Sequence, residues 1–136
     1  MGHSTVRGRQ GRQVVDLNTE IAVLDKQLRE LVAAAAPRTM ALFAVSTQHA
    51  AQLLITAGGN PRRLHSEAAF AALCANATLH MIAVLRLRWD PATKAYLARR
   101  TKDGLSKREI IRCLKRYIAR QAYHAITADL AERRPR

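Results

Sequence analysis

Residues 105–120 read LSKREIIRCLKRYIAR, and this stretch decides the fold. Six of its sixteen residues are Lys or Arg, and only Glu109 is acidic. Ser106-Lys107-Arg108-Glu109 has the S-x-x-E form of a capping box, in which serine and glutamate satisfy free N–H groups at a helix start. Ile110, Ile111, Leu114, Ile118, Ala122 and Ile126 then recur at helical steps, as one apolar side. The pattern predicts a final helix from Ser106 to about Ala131. Arg108, Arg112, Arg116 and Arg120 stand four residues apart and line one face of it. Like charges at that spacing weaken an isolated helix by a few tenths of a kcal/mol per pair. Such a ladder therefore points to an anionic partner or to neighbouring acids.

The wider composition agrees. The 136 residues hold 23 Lys or Arg and 10 Asp or Glu, a formal charge of +13. Between Arg86 and Arg120 there are twelve basic residues against three acidic ones. A large charge of one sign speaks to partners rather than to fold, and nucleic acid is the commonest polyanion. Eighteen of the 23 basic residues are Arg, the side chain suited to planar, two-point contact with phosphate or guanine. Two other readings stand beside phosphate contact. One is an ordinary solvated face, and the other a membrane-surface helix, which the lack of Trp or Phe on the apolar side disfavours. The nucleic-acid reading assigns contacts to Arg108, Arg112, Lys115, Arg116 and Arg120, with Arg99, Arg100, Lys102 and Lys107 nearby. Contacts of this kind position a protein on a phosphate backbone and carry little sequence information.

Upstream, Asp90-Pro91 reads as a helix start, with Asp as cap and Pro in the first turn. That helix runs to about Lys102, and Asp103-Gly104 ends it. Ser66 is a good cap for a long helix whose stripe is Phe70, Leu73, Cys74, Ala77, Met81, Val84 and Leu85. The stripe stays in phase across Cys74–Asn76, so a single helix over 66–88 is expected. Ala68–Leu85 is uncharged and close to membrane-span length, yet its seven Ala with Asn76, Thr78 and His80 fit a buried helix better. Ala57–Pro61 is a Gly-Gly turn without the GK[ST] of a phosphate loop. Ser46 or Thr47 starts a helix to about Ala57, and a shorter one spans Arg38–Val45 after the break at Pro37.

At the other end, Val14, Leu17, Ile21, Leu24, Leu28 and Leu31 alternate three- and four-residue steps. This is an a/d seam, under three heptads long. It fits a helical arm, an oligomer contact, or packing on the chain's own domain. Residues 1–13 contain Gly and Arg and read as a disordered basic arm. The expected organisation is arm 1–13, coiled-coil-like helix 14–36, a small all-α bundle over 37–132 with a long basic last helix, and a basic tail 133–136. No signal peptide is visible in MGHSTVRGRQGR, so a cytoplasmic location is expected.

No catalytic constellation emerges. Ser46, Ser66 and Ser106 each stand at a helix start and read as caps rather than nucleophiles. His3, His49, His65, His80 and His124 show no ligand spacing. Cys74 and Cys113 form no CxxC and read as reduced thiols. Tyr96, Tyr117 and Tyr123 follow helix faces. No metal, cofactor or catalytic residue is assigned.

The string DPATKAYLARRTKDGLSKREIIRCLKRYIAR resembles the C-terminal end of bacterial insertion-sequence transposases of the DEDD type, the one-hundred-and-ten family, which includes Piv-type invertases. AAQLLITAGGNPRRLHSEAAFAALC is similar to their helix-hairpin-helix-like region, and the seam from Val14 matches their interdomain arm. The resemblance spans about Val14–Tyr123. It implies DNA binding within DNA transposition or recombination, with a structured element RNA as a further partner. Three departures accompany it. The upstream RuvC-like domain with its metal-binding acidic tetrad has no counterpart. The block bearing the family's nucleophilic serine is missing after Cys74. The hairpin reads Ala44-Val45-Ser46-Thr47, without the family's glycines. The implied protein is a truncated, internally deleted transposase that binds DNA and does not cleave strands alone. The alternatives are a regulator that oligomerises with itself or with a full-length transposase, and a non-functional pseudogene product.

Overall fold

The computed structural model describes residues 3–59, 62–74 and 76–133. Among them are seven helices and no strand, so the protein is all-α. The helices are α1 (His3–Ala35), α2 (Pro37–Met40), α3 (Thr47–Gly59), α4 (Glu67–Leu73), α5 (Asn76–Trp89), α6 (Pro91–Lys102) and α7 (Lys107–Glu132). The chain divides into two compact units at Leu31/Val32, a few residues before the expected boundary at 36/37.

In the first unit, α1 is helical from His3, so Arg7, Arg9 and Arg12 lie on helix rather than in the disordered arm expected over 1–13. Once the well-patterned segment from Val14 has nucleated, each added residue gains a hydrogen bond. That gain carries the helix through Gly8 and Gly11, although each glycine costs about 1 kcal/mol relative to Ala. Five of the six seam residues, Val14, Leu17, Ile21, Leu24 and Leu31, are 51–69% exposed, and Leu28 is half-buried.

The second unit is built on α7, against which α2, α3, α4, α5 and α6 all pack. Its core joins Ile110, Ile118 and Ile126 of α7 to Leu53 of α3, Phe70 of α4 and Ile82 of α5, each at most 1% exposed. The predicted ends of α6 and α7 are borne out by explicit caps. Asp90 accepts from the Ala92 N–H at 3.2 Å, and Pro91 fills the first position. Gly104 takes a φ of +91° as α6 stops. Its N–H bonds Thr101 O at 3.0 Å and the Leu105 N–H bonds Arg100 O at 3.2 Å, the paired closure of a Schellman end. Ser106 and Glu109 form both halves of the capping box.

One expectation is overturned. The single helix over 66–88 is two helices, α4 and α5, whose axes differ by 101°. Cys74 ends α4 with extended backbone, φ −62° and ψ 136°. The expected stripe holds only in α4: Ala77, Met81 and Val84 are exposed on α5, whose buried face is Leu79, Ile82, Ala83 and Arg86. The bend lets that face and Phe70 of α4 be buried together, with both helices on α7. No single helix among the described residues is long and apolar enough to cross a membrane; α4 and α5 reach that length and composition only as a bent pair.

Of the segment expected to be helical over Arg38–Val45, only Arg38–Met40 is helical, as the last three residues of the four-residue α2, and a turn follows to Ser46. Ala44 has a φ of +62°, the left-handed region that favours glycine. α2 has Ala36 at its cap position, a residue with no side-chain acceptor. Asp129, on the last turns of α7 and 1% exposed, supplies the acceptor instead. Its carboxylate takes the N–H of Arg38 at 3.1 Å, the N–H of Thr39 at 3.0 Å and the Thr39 hydroxyl at 2.8 Å. Arg38 also pairs with Glu132.

Candidate nucleic-acid interface

The capping box fixes where α7 begins and therefore the direction of every side chain that follows. Ser106 Oγ accepts from the Glu109 N–H at 3.4 Å, while Glu109 Oε2 accepts from the Ser106 N–H at 2.8 Å. Bonding to the Ser106 hydroxyl and N–H, aided by the charge of Arg112, holds the Glu109 carboxyl below its ordinary pKa. Glu109 is thus an anion and partly offsets the first rungs of the ladder.

The four rungs are not equivalent. Arg108 and Arg116 are exposed and form no hydrogen bond or ion pair with another described residue. Arg112 is also exposed, and its charge acts on the Glu109 carboxylate. Arg120 is tied across to α4, its Nε donating to Glu67 Oε2 at 3.0 Å. The same carboxylate meets His124 Nε2 at 2.7 Å through Oε1. Neighbouring acid thus answers the fourth rung and leaves three guanidiniums on a run of about 12 Å.

Beside these rungs lies a cleft of about 210 Å³ lined by His80, Arg108, Ile111, Arg112 and Lys115. Lys115 is oriented by a 2.7 Å bond to Asn76 Oδ1. The cleft gathers two guanidiniums, an ammonium and an imidazole around one opening, an arrangement suited to a phosphate oxygen. His80 belongs to it although its sequence position showed no pattern.

The remaining assigned residues spread over α6 and the turn after it. Arg99 lies over the Tyr96 ring, 5.7 Å from its centroid. Arg100 donates to Asp103 at 3.3 Å and is the least available of the set. Its Nε is buried with no partner among the described residues. Lys102 and Lys107 flank the turn and are exposed. Arg86 was counted with the basic run, yet it is 5% exposed. Its Nε donates to Phe43 O at 3.0 Å and its Nη1 to Gln121 Oε1 at 2.6 Å. Burial lowers its pKa, and the charges of Asp90 and Tyr117 act the other way.

Ser46 Oγ accepts from the His49 N–H at 3.2 Å and Ser66 Oγ from the Ala69 N–H at 3.1 Å, so these serines, like Ser106, cap helices. Burial pushes the Cys74 thiol up to about 12, which keeps it protonated. No group of three or more His, Cys, Asp or Glu among the described residues could hold a metal ion.

No protein-family model, curated protein or solved structure matches the chain.

Proposed function

We propose that this protein binds the phosphate backbone of nucleic acid through the α7 face, with Arg108, Arg112 and Arg116 as principal contacts and Lys115 and His80 completing a phosphate seat. The observation that carries this reading is that three successive rungs of one helix are exposed and lack a protein acceptor, while the fourth is neutralised. A merely solvated face normally mixes signs along its length, as Glu67 does at Arg120. The resemblance of residues 90–120 to insertion-sequence transposases supports the same reading and adds its context: a DNA-binding, internally deleted relative within DNA transposition, without strand-cleavage chemistry in these residues. Arg99, Lys102 and Lys107 extend the footprint, and structured RNA competes with DNA for it.

The test is a titration of labelled duplex DNA and of structured RNA with the wild type and with Arg108, Arg112 and Arg116 all changed to Gln, both checked by circular dichroism. The reading requires the folded variant to bind at least tenfold more weakly at 50 mM salt, a concentration at which phosphate contacts are strong. Equal binding by both proteins would reduce the ladder to ordinary surface.

A second reading is favoured by one specific observation, the exposure of the Val14–Leu31 seam. An apolar a/d stripe open to solvent is what a second helix covers, in a homo-oligomer or with a full-length transposase. Leu24, 62% exposed, lies near its middle. Leu24→Glu then converts an oligomer to monomer in sedimentation equilibrium, and an unchanged mass removes the seam as an oligomer contact.

A further inference from the structure

On the other side of the ladder is a larger cavity of about 490 Å³, within the ~300–1,000 Å³ range of small-ligand sites. Its walls include Phe43, Tyr96, Leu114 and Tyr117, and Arg86 and Gln121 contribute its polar groups. Three aromatic rings around one opening in a chain with only six aromatic residues is a concentration that the core does not require. Phe43 and Tyr117 remain 49% and 54% exposed.

The polar groups are organised. Arg86 is more than nine-tenths buried, with Nε and Nη1 engaged by Phe43 O and Gln121 Oε1. Its Nη2 has no protein partner among the described residues. Gln121 in turn donates through Nε2 to the Tyr117 hydroxyl at 3.1 Å, so the Tyr117 proton is free to donate elsewhere. The cavity thus offers two oriented donors between aromatic surfaces. Asp90 lines it too, and its carboxylate balances the charge of Arg86. A second anion would face Asp90, whereas a neutral planar ring carrying acceptors would not.

Placement supplies the rest. Cys113, Tyr117 and Gln121 line the cavity and each follows a rung, Arg112, Arg116 or Arg120. One residue is about 100° of helix, so a strand held on the rungs has its bases next to the opening. We propose that this cavity receives one unpaired nucleobase, stacked against Tyr117 and Tyr96 and hydrogen-bonded by Arg86 and Tyr117, with the O6/N7 edge of guanine as its best match. The inference rests on α7 binding the phosphate backbone and gives that surface a preference for unpaired positions. Arg is the usual donor to that guanine edge, and aromatic stacking tolerates any base more weakly.

The experiment measures anisotropy of three labelled duplexes of one sequence: fully paired, with a single bulged guanosine, and with an abasic bulge. The wild type should bind the guanosine bulge about tenfold more tightly than the other two, a stacking-sized preference. Tyr117→Ala, at an exposed position that leaves the core intact, should erase the preference and keep binding to the paired duplex. Arg86→Lys, checked for folding and measured also on a fourth duplex with a bulged cytidine, should reduce the preference for guanosine over cytidine. Equal affinity of the wild type for all three duplexes overturns the base pocket alone. Failure to bind any of them overturns the backbone reading and the pocket with it.

Discussion

Changing Asp129 to Ala should destabilise the helical unit more than any substitution on its surface. The carboxylate is buried and accepts three hydrogen bonds, from Arg38 N, Thr39 N and Thr39 Oγ1, at 2.8–3.1 Å. It stands in for the missing cap of α2 and joins that helix to the far end of α7. Bonds to a charged acceptor are worth about 1.5–3 kcal/mol each and are not additive. Orphaned donors cost about 1–3 kcal/mol more where water cannot reach them. Since Thr39 is fully buried and Arg38 is half-exposed, chiefly the two Thr39 donors are stranded. A loss of about 3–4 kcal/mol follows. Asn should cost about 2–3 kcal/mol, because its amide NH₂ would face an N–H donor where the second carboxylate oxygen now accepts. Urea unfolding followed by circular dichroism reads these as midpoint shifts. With an m value of about 2 kcal/mol/M, Asp129→Ala should lower the midpoint by about 1.5–2 M. A shift below about 0.5 M, with m unchanged, would refute the claim that Asp129 caps α2.

Two further outcomes follow from local geometry. Ala44→Gly should stabilise the protein by about 0.5–1 kcal/mol, since glycine removes the left-handed penalty at φ +62° but adds unfolded-state entropy, and Ala44→Val should do the reverse; thermal melts of the pair check both signs. Asp90, Glu109 and Glu132 all titrate below their ordinary values, held by bonds from Thr93, Ser106 and Arg38 respectively. Their folded pKa values lie below the unfolded ones, so their stabilisation is fully present above the ordinary carboxylate range and is lost as pH falls through the lower, folded values. Melting temperature measured from pH 7 to pH 2 should be flat and then fall in that window, and a midpoint that rises on acidification would contradict the assignment.

Much of the second unit was legible because its signals are local. The cap of α6, the Gly104 stop and the Ser106 box each sit within four residues of the helix end they define, and sequence spacing records such features directly. The bend at Cys74 was not legible. The stripe through Ala77, Met81 and Val84 suggested one helix, yet α5 buries Leu79, Ile82 and Ala83 instead, because α7 takes both halves only when the chain bends and turns a different face inward. Asp129 left a trace that could have been read, because the buried series Ile118, Ala122, Ile126 continues at helical spacing to 129. A charged residue on such a stripe implies a buried partner but does not name Thr39, ninety residues earlier. The basic surface was legible as a ladder, while its sorting into free and paired rungs was not. Glu67 reaches Arg120 from a different helix, and Arg86 leaves the surface altogether to brace Phe43 and Gln121. Helical spacing places side chains on faces; it does not say what stands opposite them.

The most direct test of the backbone-binding claim is the slope of log affinity against log salt for one duplex. Each neutralised phosphate contributes about −0.9 on B-form DNA. Loss of the three free rungs, as Arg108, Arg112 and Arg116 to Gln, should make the slope shallower by about 2.7, whereas Arg120→Gln, with its charge already met by Glu67, should change it by less than about 0.5. A slope that is the same in the wild type and the triple variant, or one that responds as strongly to Arg120 as to Arg112, would contradict the account.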